Sequence, residues 1–278
     1  MSLFSPEAVE LGAWSPSKVK TGEQCPWKFN RQYVDRLKVP PDKMPELSDS
    51  ALRVGSAVHY YAECLAKGRD PADSRARAMA KNSLVSDEVD SFESMVANTE
   101  SFIKRIDDFK RKYDVTEDLV EHRIAISENL AYADFWDSET ILRGVVDRTL
   151  IIEDKYAIMV DIKTSSFATL KYSELQLEAY ALMAFSNWEG LEYVHPVLYF
   201  VPDGKFLWSK KVYASGYDFG ANNPVVKSIN AVSEHVLSDE ITPGKFCSWC
   251  IYKPLCLEER KVRRAKKKKS QKASAKGR

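Results

Sequence analysis

The sequence predicts an α/β protein, with a mostly helical N-terminal region, a central sheet flanked by helices, and a short cysteine-rich segment near the C-terminus. Three observations predict it. The first 115 residues carry helix-type apolar spacing and helix-start signals. Two β-rich runs, 143–152 and 156–164, then flank the charged turn Glu153-Asp154-Lys155. Three of the five cysteines cluster as Cys247-x2-Cys250-x5-Cys256. Four segments follow: 1–115, helical and carrying Cys25 and His59; 116–240, the sheet-containing core; 241–258, the cysteine segment, packing on the N-terminal region; and 259–278, a basic tail.

Ser15-Pro16-Ser17 starts a helix, because serine caps and proline tolerates the first turn. Residues 38–49, with three prolines, read as a linker. A helix from about Ser50 carries Gly55 and His59 four apart on one face. Asp70-Pro71 opens another helix. Residues 87–113 form a long amphipathic one, with Phe92, Met95, Phe102, Ile106 and Phe109 on its apolar side. Residues 121–126 are a short strand. Residues 175–185 are a helix carrying Gln176 and Tyr180. Strands at 193–201 and 206–213 form a second hairpin around Asp203-Gly204, and 222–237 is helical.

The first hairpin concentrates chemistry. Its first strand places Asp147 in its first half, and its second delivers Asp161 and Lys163 to one face near its end. If the strands pair antiparallel around Glu153–Lys155, residue numbers of partners sum to about 308, so Asp147 meets Asp161. Two carboxylates favour a hard divalent cation. A lysine beside them orients a water or stabilises charge on a phosphate. A D-x-K at a strand end is otherwise a solvated salt bridge. His59 is a metal ligand or a core histidine. Gln176 and Tyr180 overlook the acids or form a polar edge.

The five cysteines and the N-terminus, which has no basic region and no long apolar stretch, argue against a secreted disulfide framework. A cytoplasmic location is expected, or a nuclear one in a eukaryote, with no membrane partner. A C-x-x-C bite suits a soft metal centre, with Cys25, beside Pro26 and Trp27, as the fourth ligand; Cys64 reads as a small core residue. Zinc and an iron–sulfur cluster fit the bare spacing equally well. After residue 260 there are ten Lys or Arg and no acid, so the preceding chain carries −9 against +1 for the whole. That tail is expected to be disordered, as a solubilising end or a phosphate-binding arm.

Taken in order, Cys25-Pro26, Gly55-x3-His59, Gly144-Val145-Val146-Asp147, Asp161-Ile162-Lys163-Thr164, Gln176-x3-Tyr180 and Cys247, Cys250, Cys256 resemble the PD-(D/E)XK nucleases. Within them they are similar to the RecB-type exonucleases with an iron–sulfur cluster, such as the AddB nuclease domain and the CRISPR-associated iron–sulfur exonucleases. The resemblance implies a restriction-endonuclease-like mixed sheet and a DNA exonuclease acting on strand ends or single strands in recombination, repair or end processing. It implies magnesium or manganese held by His59, Asp147, Asp161 and the carbonyl of Ile162. Lys163 would position the attacking water, and Gln176 and Tyr180 would organise the site. Cys25, Cys247, Cys250 and Cys256 would hold a 4Fe–4S cluster in preference to zinc. Val146 stands where the nominal motif has proline, and Asp161 where many members have glutamate. No G-x-x-x-x-G-K-S/T phosphate loop is present, so a helicase or recombination partner would be a separate chain. The competing readings are a non-catalytic DNA-binding adaptor on the same fold and a metal carrier built on the thiolates.

Overall fold

The computed structural model describes residues 2–40, 47–165, 167, 169–171 and 173–276, with the side chains of 47–49 and 266–276 excepted. Helices α1 (Pro6–Glu10), α2 (Pro16–Gln24) and α3 (Pro26–Phe29) open the chain. Proline begins each, where a missing N–H costs nothing. Ser15 caps α2 by accepting from Lys18 N at 3.2 Å. A π-helical turn, Asn30–Val34, follows. Of the expected linker, positions 41–46 lie outside the described residues. Helix α4 (Leu47–Ala66) starts three residues before Ser50. Helix α5 (Pro71–Lys81) is capped by Asp70, which accepts from Asp73 N at 2.9 Å. Helix α6 (Ser86–Lys112) buries Phe92, Phe102 and Ile106, with Met95 and Phe109 partly covered.

The sheet has six strands: β1 (Val115–Ser127), β2 (Thr140–Ile152), β3 (Tyr156–Lys163), β4 (Tyr193–Phe200), β5 (Lys205–Trp208) and β6 (Val212–Tyr213). Strands β1 to β5 lie side by side in chain order, and β6 also pairs with β4. Among the six described strands, only β3 and β4 pair in parallel, and Trp14 adds a parallel bridge to Leu142 of β2. The β3–β4 pairing is made through a crossover carrying helix α7 (Glu174–Asn187). The expected second hairpin strand is split between β5 and β6, and both segments pair with β4. Helix α8 (Pro224–Val236) is capped by Asn223, and helix α9 (Lys253–Lys276) closes the chain.

Each face of the sheet covers a core. Leu142, Val146, Ile151 and Met159 meet α7, α8 and the N-terminal helices on one side. Leu150, Ile152, Ile158 and Val160 meet α4 and α6 on the other. A small third cluster joins Trp27, Val39 and Tyr252.

Three sequence expectations need correction. Strand β2 starts at Thr140, so Asp147 is past its midpoint; the strand is longer because β1 extends to Ser127 and pairs with it throughout. Strand β1 is likewise thirteen residues rather than a short run. The basic segment from Lys261, expected to be disordered, continues α9 as far as Lys276. Lys, Arg, Ala and Gln are strong helix formers, and Glu259 supports the helix by pairing with Arg263 one turn on, at 2.7 Å. Among the described residues no helix is long and apolar enough to cross a membrane.

Candidate active site

The β2–β3 register follows the expected sum. Arg148 faces Val160 and Ile152 faces Tyr156 around a turn with Glu153 and Asp154 at φ 52° and 55°. The ladder stops at Arg148 and Val160, one step short of Asp147 and Asp161, and Asp147 reaches β3 through its side chain instead. On β2, the even-numbered Leu142 and Val146 face the α7 layer, whereas Leu150 and Ile152 face the α4–α6 layer. The strand therefore changes face between 146 and 150, where strict alternation breaks. Asp147 sits at this break. Its cross-strand neighbour on β1 is Glu121, since Val120 faces Arg148 and His122 faces Val146. Glu121 has φ 49°, a left-handed conformation that a non-glycine residue adopts only under local constraint.

Helix α4 brings His59 to the acids. Its Nδ1 lies 2.9 Å from Asp147 Oδ1. The close approach uses Gly55: a Cβ there would stand 3.0 Å from Thr164 Oγ1 at the end of β3. Asp147 Oδ2 accepts from Ile162 N at 2.5 Å. His59, Glu121 and Asp147 each present a ligand atom within 4.8 Å of the others, a spacing that suits one divalent ion.

Helix α7 supports Asp161 from the other layer. Gln176 Nε2 donates to Asp161 Oδ1 at 2.6 Å, and the Tyr180 hydroxyl stands 3.0 Å from that oxygen. Lys163 Nζ donates to Gln176 Oε1 at 3.0 Å. One amide orientation satisfies both neighbours, so the lysine fixes the glutamine that holds the aspartate. A Cβ at Gly144 would press on Met183 Cε at 3.1 Å and touch the Tyr180 ring at an ordinary 3.5 Å. Asp161 Oδ2 is ion-paired to Lys163 Nζ at 2.6 Å. The lysine thus serves both the glutamine and the aspartate. Asp161 itself stands outside the three-residue group of His59, Glu121 and Asp147.

The titration behaviour agrees. Burial pushes the Glu121 carboxyl up to about 7, and the Asp147 charge adds to it. Burial also raises Asp161, against the pull of Lys163. Burial would lower His59, but the Asp147 carboxylate overrides it and lifts the imidazole to about 9. A site in which acids resist ionisation lacks positive charge, which a divalent ion supplies.

The structure thus brings together His59, Asp147, Asp161, Ile162, Lys163, Gln176 and Tyr180. Sequence reasoning missed Glu121. Applying the hairpin sum to β1 and β2 pairs it with Asp147, but only once their connection is known.

The second constellation lies elsewhere. Cys25 joins α2 to α3, and Cys25, Cys247, Cys250 and Cys256 line one cavity of ≈ 140 Å³. Trp27 N donates to Glu240 O at 3.0 Å, tying the two ends of the chain beside it. Burial raises the thiols of Cys250 and Cys256. Among the described residues no three of these sulfurs lie within 4.8 Å of one another. Cys64 is 1% exposed in the α4–α6 layer, apart from the other four.

A mixed sheet flanked by helices carries acids from the middle of β2 and the end of β3, with a lysine beside them. Residues 13–257 match the PD-(D/E)XK nuclease superfamily, and the chain belongs to it. The architecture is accordingly the restriction-endonuclease-like fold. Among solved structures it is similar to one from Eubacterium rectale described as a "putative exonuclease", with 12% identity, 84% and 83% of the two chains covered, and a TM-score of 0.46. It is also similar to one described as SSO0001, with 15% identity, 83% and 94% covered, and a TM-score of 0.35. No curated protein matches the chain.

Proposed function

We propose that this nuclease is a magnesium- or manganese-dependent DNA exonuclease of the RecB-type branch, acting at strand ends and held together by a structural 4Fe–4S cluster. The observation that carries the reading is the acidic cluster: His59, Glu121 and Asp147 each present a ligand atom within 4.8 Å of the others, and on the neighbouring strand the buried Asp161 is held by Gln176, Tyr180 and Lys163. His59, Asp147, Asp161 and the carbonyl of Ile162 would hold the ion, with Glu121 at its edge. A divalent cation bound there supplies Lewis acidity and neutralises the phosphodiester's charge. Lys163 would hold the attacking water through an ammonium that Asp161 and Gln176 already orient. Gln176 and Tyr180 position Asp161 rather than touch the substrate.

The ordered cysteine series supports the branch and the cluster. The four sulfurs share one cavity with an apolar surround, as a cluster needs. Among the described residues no three of them lie within 4.8 Å of one another, whereas a tetrahedral zinc with ~2.3 Å bonds brings its sulfurs to ~3.8 Å. The cluster would act as a staple between the N- and C-terminal segments. DNA labelled separately at each end, single- and double-stranded, incubated with magnesium, manganese or EDTA, tests the reading. Metal-dependent release of labelled nucleotides from ends is expected. Cleavage confined to the interior of the strand, or none with either metal, would overturn it.

A further inference from the structure

Beyond the acids, the β1–β2 ribbon continues past the cover of α4. Its inner face, Ile124, Ile126, Leu142 and Val146, is buried against the α7 layer. Its outer face carries, in line from Glu121 and Asp147, Arg123 opposite Val145 and then Arg143 opposite Ala125. At ~3.3 Å per strand residue, Arg123 is ~7 Å from Glu121 along its strand, and Arg143 ~13 Å from Asp147. The β1–β2 connection folds an aromatic pair over them. The Arg143 guanidinium lies 5.1 Å from the Phe135 ring and 4.7 Å from Trp136, and that of Arg123 5.7 and 5.9 Å. Arg143 also donates to Phe135 O at 3.0 Å, which pins the connection to the strand.

Two features of this shelf call for a partner. Trp136 is 70% exposed and Tyr132 63%, a large aromatic surface for a folded chain to leave in water. Two arginines stand side by side, and among the described residues neither forms an ion pair, in a chain whose first 260 residues carry net −9. The Arg143 charge is felt nearby: burial, and then Arg143, holds the Lys18 ammonium down to about 8.

We propose that this shelf is the path of a single nucleic-acid strand to the acidic site, with Arg123 and Arg143 on its phosphates and a base stacked on the free face of Trp136. Charge complementarity and continuity with Glu121 and Asp147 select this occupant. Guanidinium groups suit phosphate, and an exposed indole accepts any base. The inference rests on the phosphodiesterase reading of the neighbouring acids.

The test uses the full chain with calcium in place of magnesium. Binding of fluorescein-labelled oligothymidylate is followed by anisotropy across a salt series, for wild type, W136A, W136F and R123Q/R143Q. Turnover of thymidine 5′-monophosphate p-nitrophenyl ester with manganese, which occupies only the acidic site, is the control. W136A should bind about tenfold more weakly or worse, with W136F recovering most of the loss. The slope of log affinity against log salt should fall by about 1.4 in R123Q/R143Q, for two phosphates at ~0.7 each. Ester turnover should stay at the wild-type level in all three. Unchanged oligothymidylate binding and salt slope would overturn the proposal. So would loss of ester turnover in step with binding, which would make these residues supports of the fold. Polyglutamate competing equally well against wild type and W136A would overturn it in favour of an acidic-peptide surface. If wild type hydrolyses neither ester nor DNA while the binding differences persist, the strand path stands and the exonuclease reading falls.

Discussion

Replacing Tyr180 by Phe removes one oxygen from the centre of the site and leaves the buried ring in place. The hydroxyl lies 3.0 Å from Asp161 Oδ1, 2.7 Å from Gln176 Nε2 and 3.1 Å from Val145 O, and the residue is 1% exposed. Removing it leaves a buried partner unsatisfied, which costs about 1–3 kcal/mol. At about 2–4 °C per kcal/mol for a chain of this class, the melting temperature should fall by roughly 2–12 °C. Asp161 Oδ1 would keep Gln176 alone, at 2.6 Å. Loss of an outer partner of a metal ligand lowers metal affinity or activity by about 10–100-fold. Manganese binding by calorimetry, with thermal melts on the same preparations, reads both effects. Wild-type manganese affinity together with a wild-type melting temperature would refute the view that Tyr180 holds Asp161 in place.

Gly55→Val should push α4 away from Thr164 and carry His59 with it, weakening manganese binding and lowering stability by about 1–3 kcal/mol; an unchanged affinity would separate His59 from the metal. The Glu88 carboxylate, buried at the start of α6, is held down to about 2 by hydrogen bonding to Arg53, with Nε donating at 3.0 Å. Its folded value lies below the unfolded ~4.3, so its contribution is complete above that pH and is lost as pH falls towards about 2. Glu88→Gln should therefore melt lower than wild type at neutral pH, and the gap should close in acid; a gap independent of pH contradicts the pairing. Purified protein should be brown, and Ala at Cys25, Cys247, Cys250 or Cys256 should remove the colour and lower the melting temperature, whereas Cys64→Ala keeps the colour. A colourless protein holding one zinc after anaerobic preparation with iron would overturn the cluster and leave the acidic site standing.

The acid–lysine part of the site was legible because it depends on one short turn. Glu153–Lys155 is polar between two apolar runs, so the register from Arg148–Val160 to Ile152–Tyr156 followed from counting. Helix starts at Ser15-Pro16 and Asp70-Pro71 were legible because a cap and a proline act locally. Glu121 was not. Its partner strand is reached through a long irregular connection, 128–139, with no two-residue turn to fix the register, and its φ of 49° has no sequence signal. The same connection hid the true start of β2 and the shelf built from Phe135 and Trp136. The last segment was misread because composition shows only that it buries little, whereas its residue types still favour helix.

The most direct measurement compares Asp161→Ala with Lys163→Ala, following manganese binding and release of end label from DNA on the same samples. Both variants should lose cleavage with secondary structure intact. Asp161→Ala should also lose manganese, while Lys163→Ala should still bind it, because the lysine serves the nucleophile and the aspartate the ion. Cleavage preserved in cleanly purified Asp161→Ala protein would contradict the assignment of this site as the seat of phosphodiester hydrolysis.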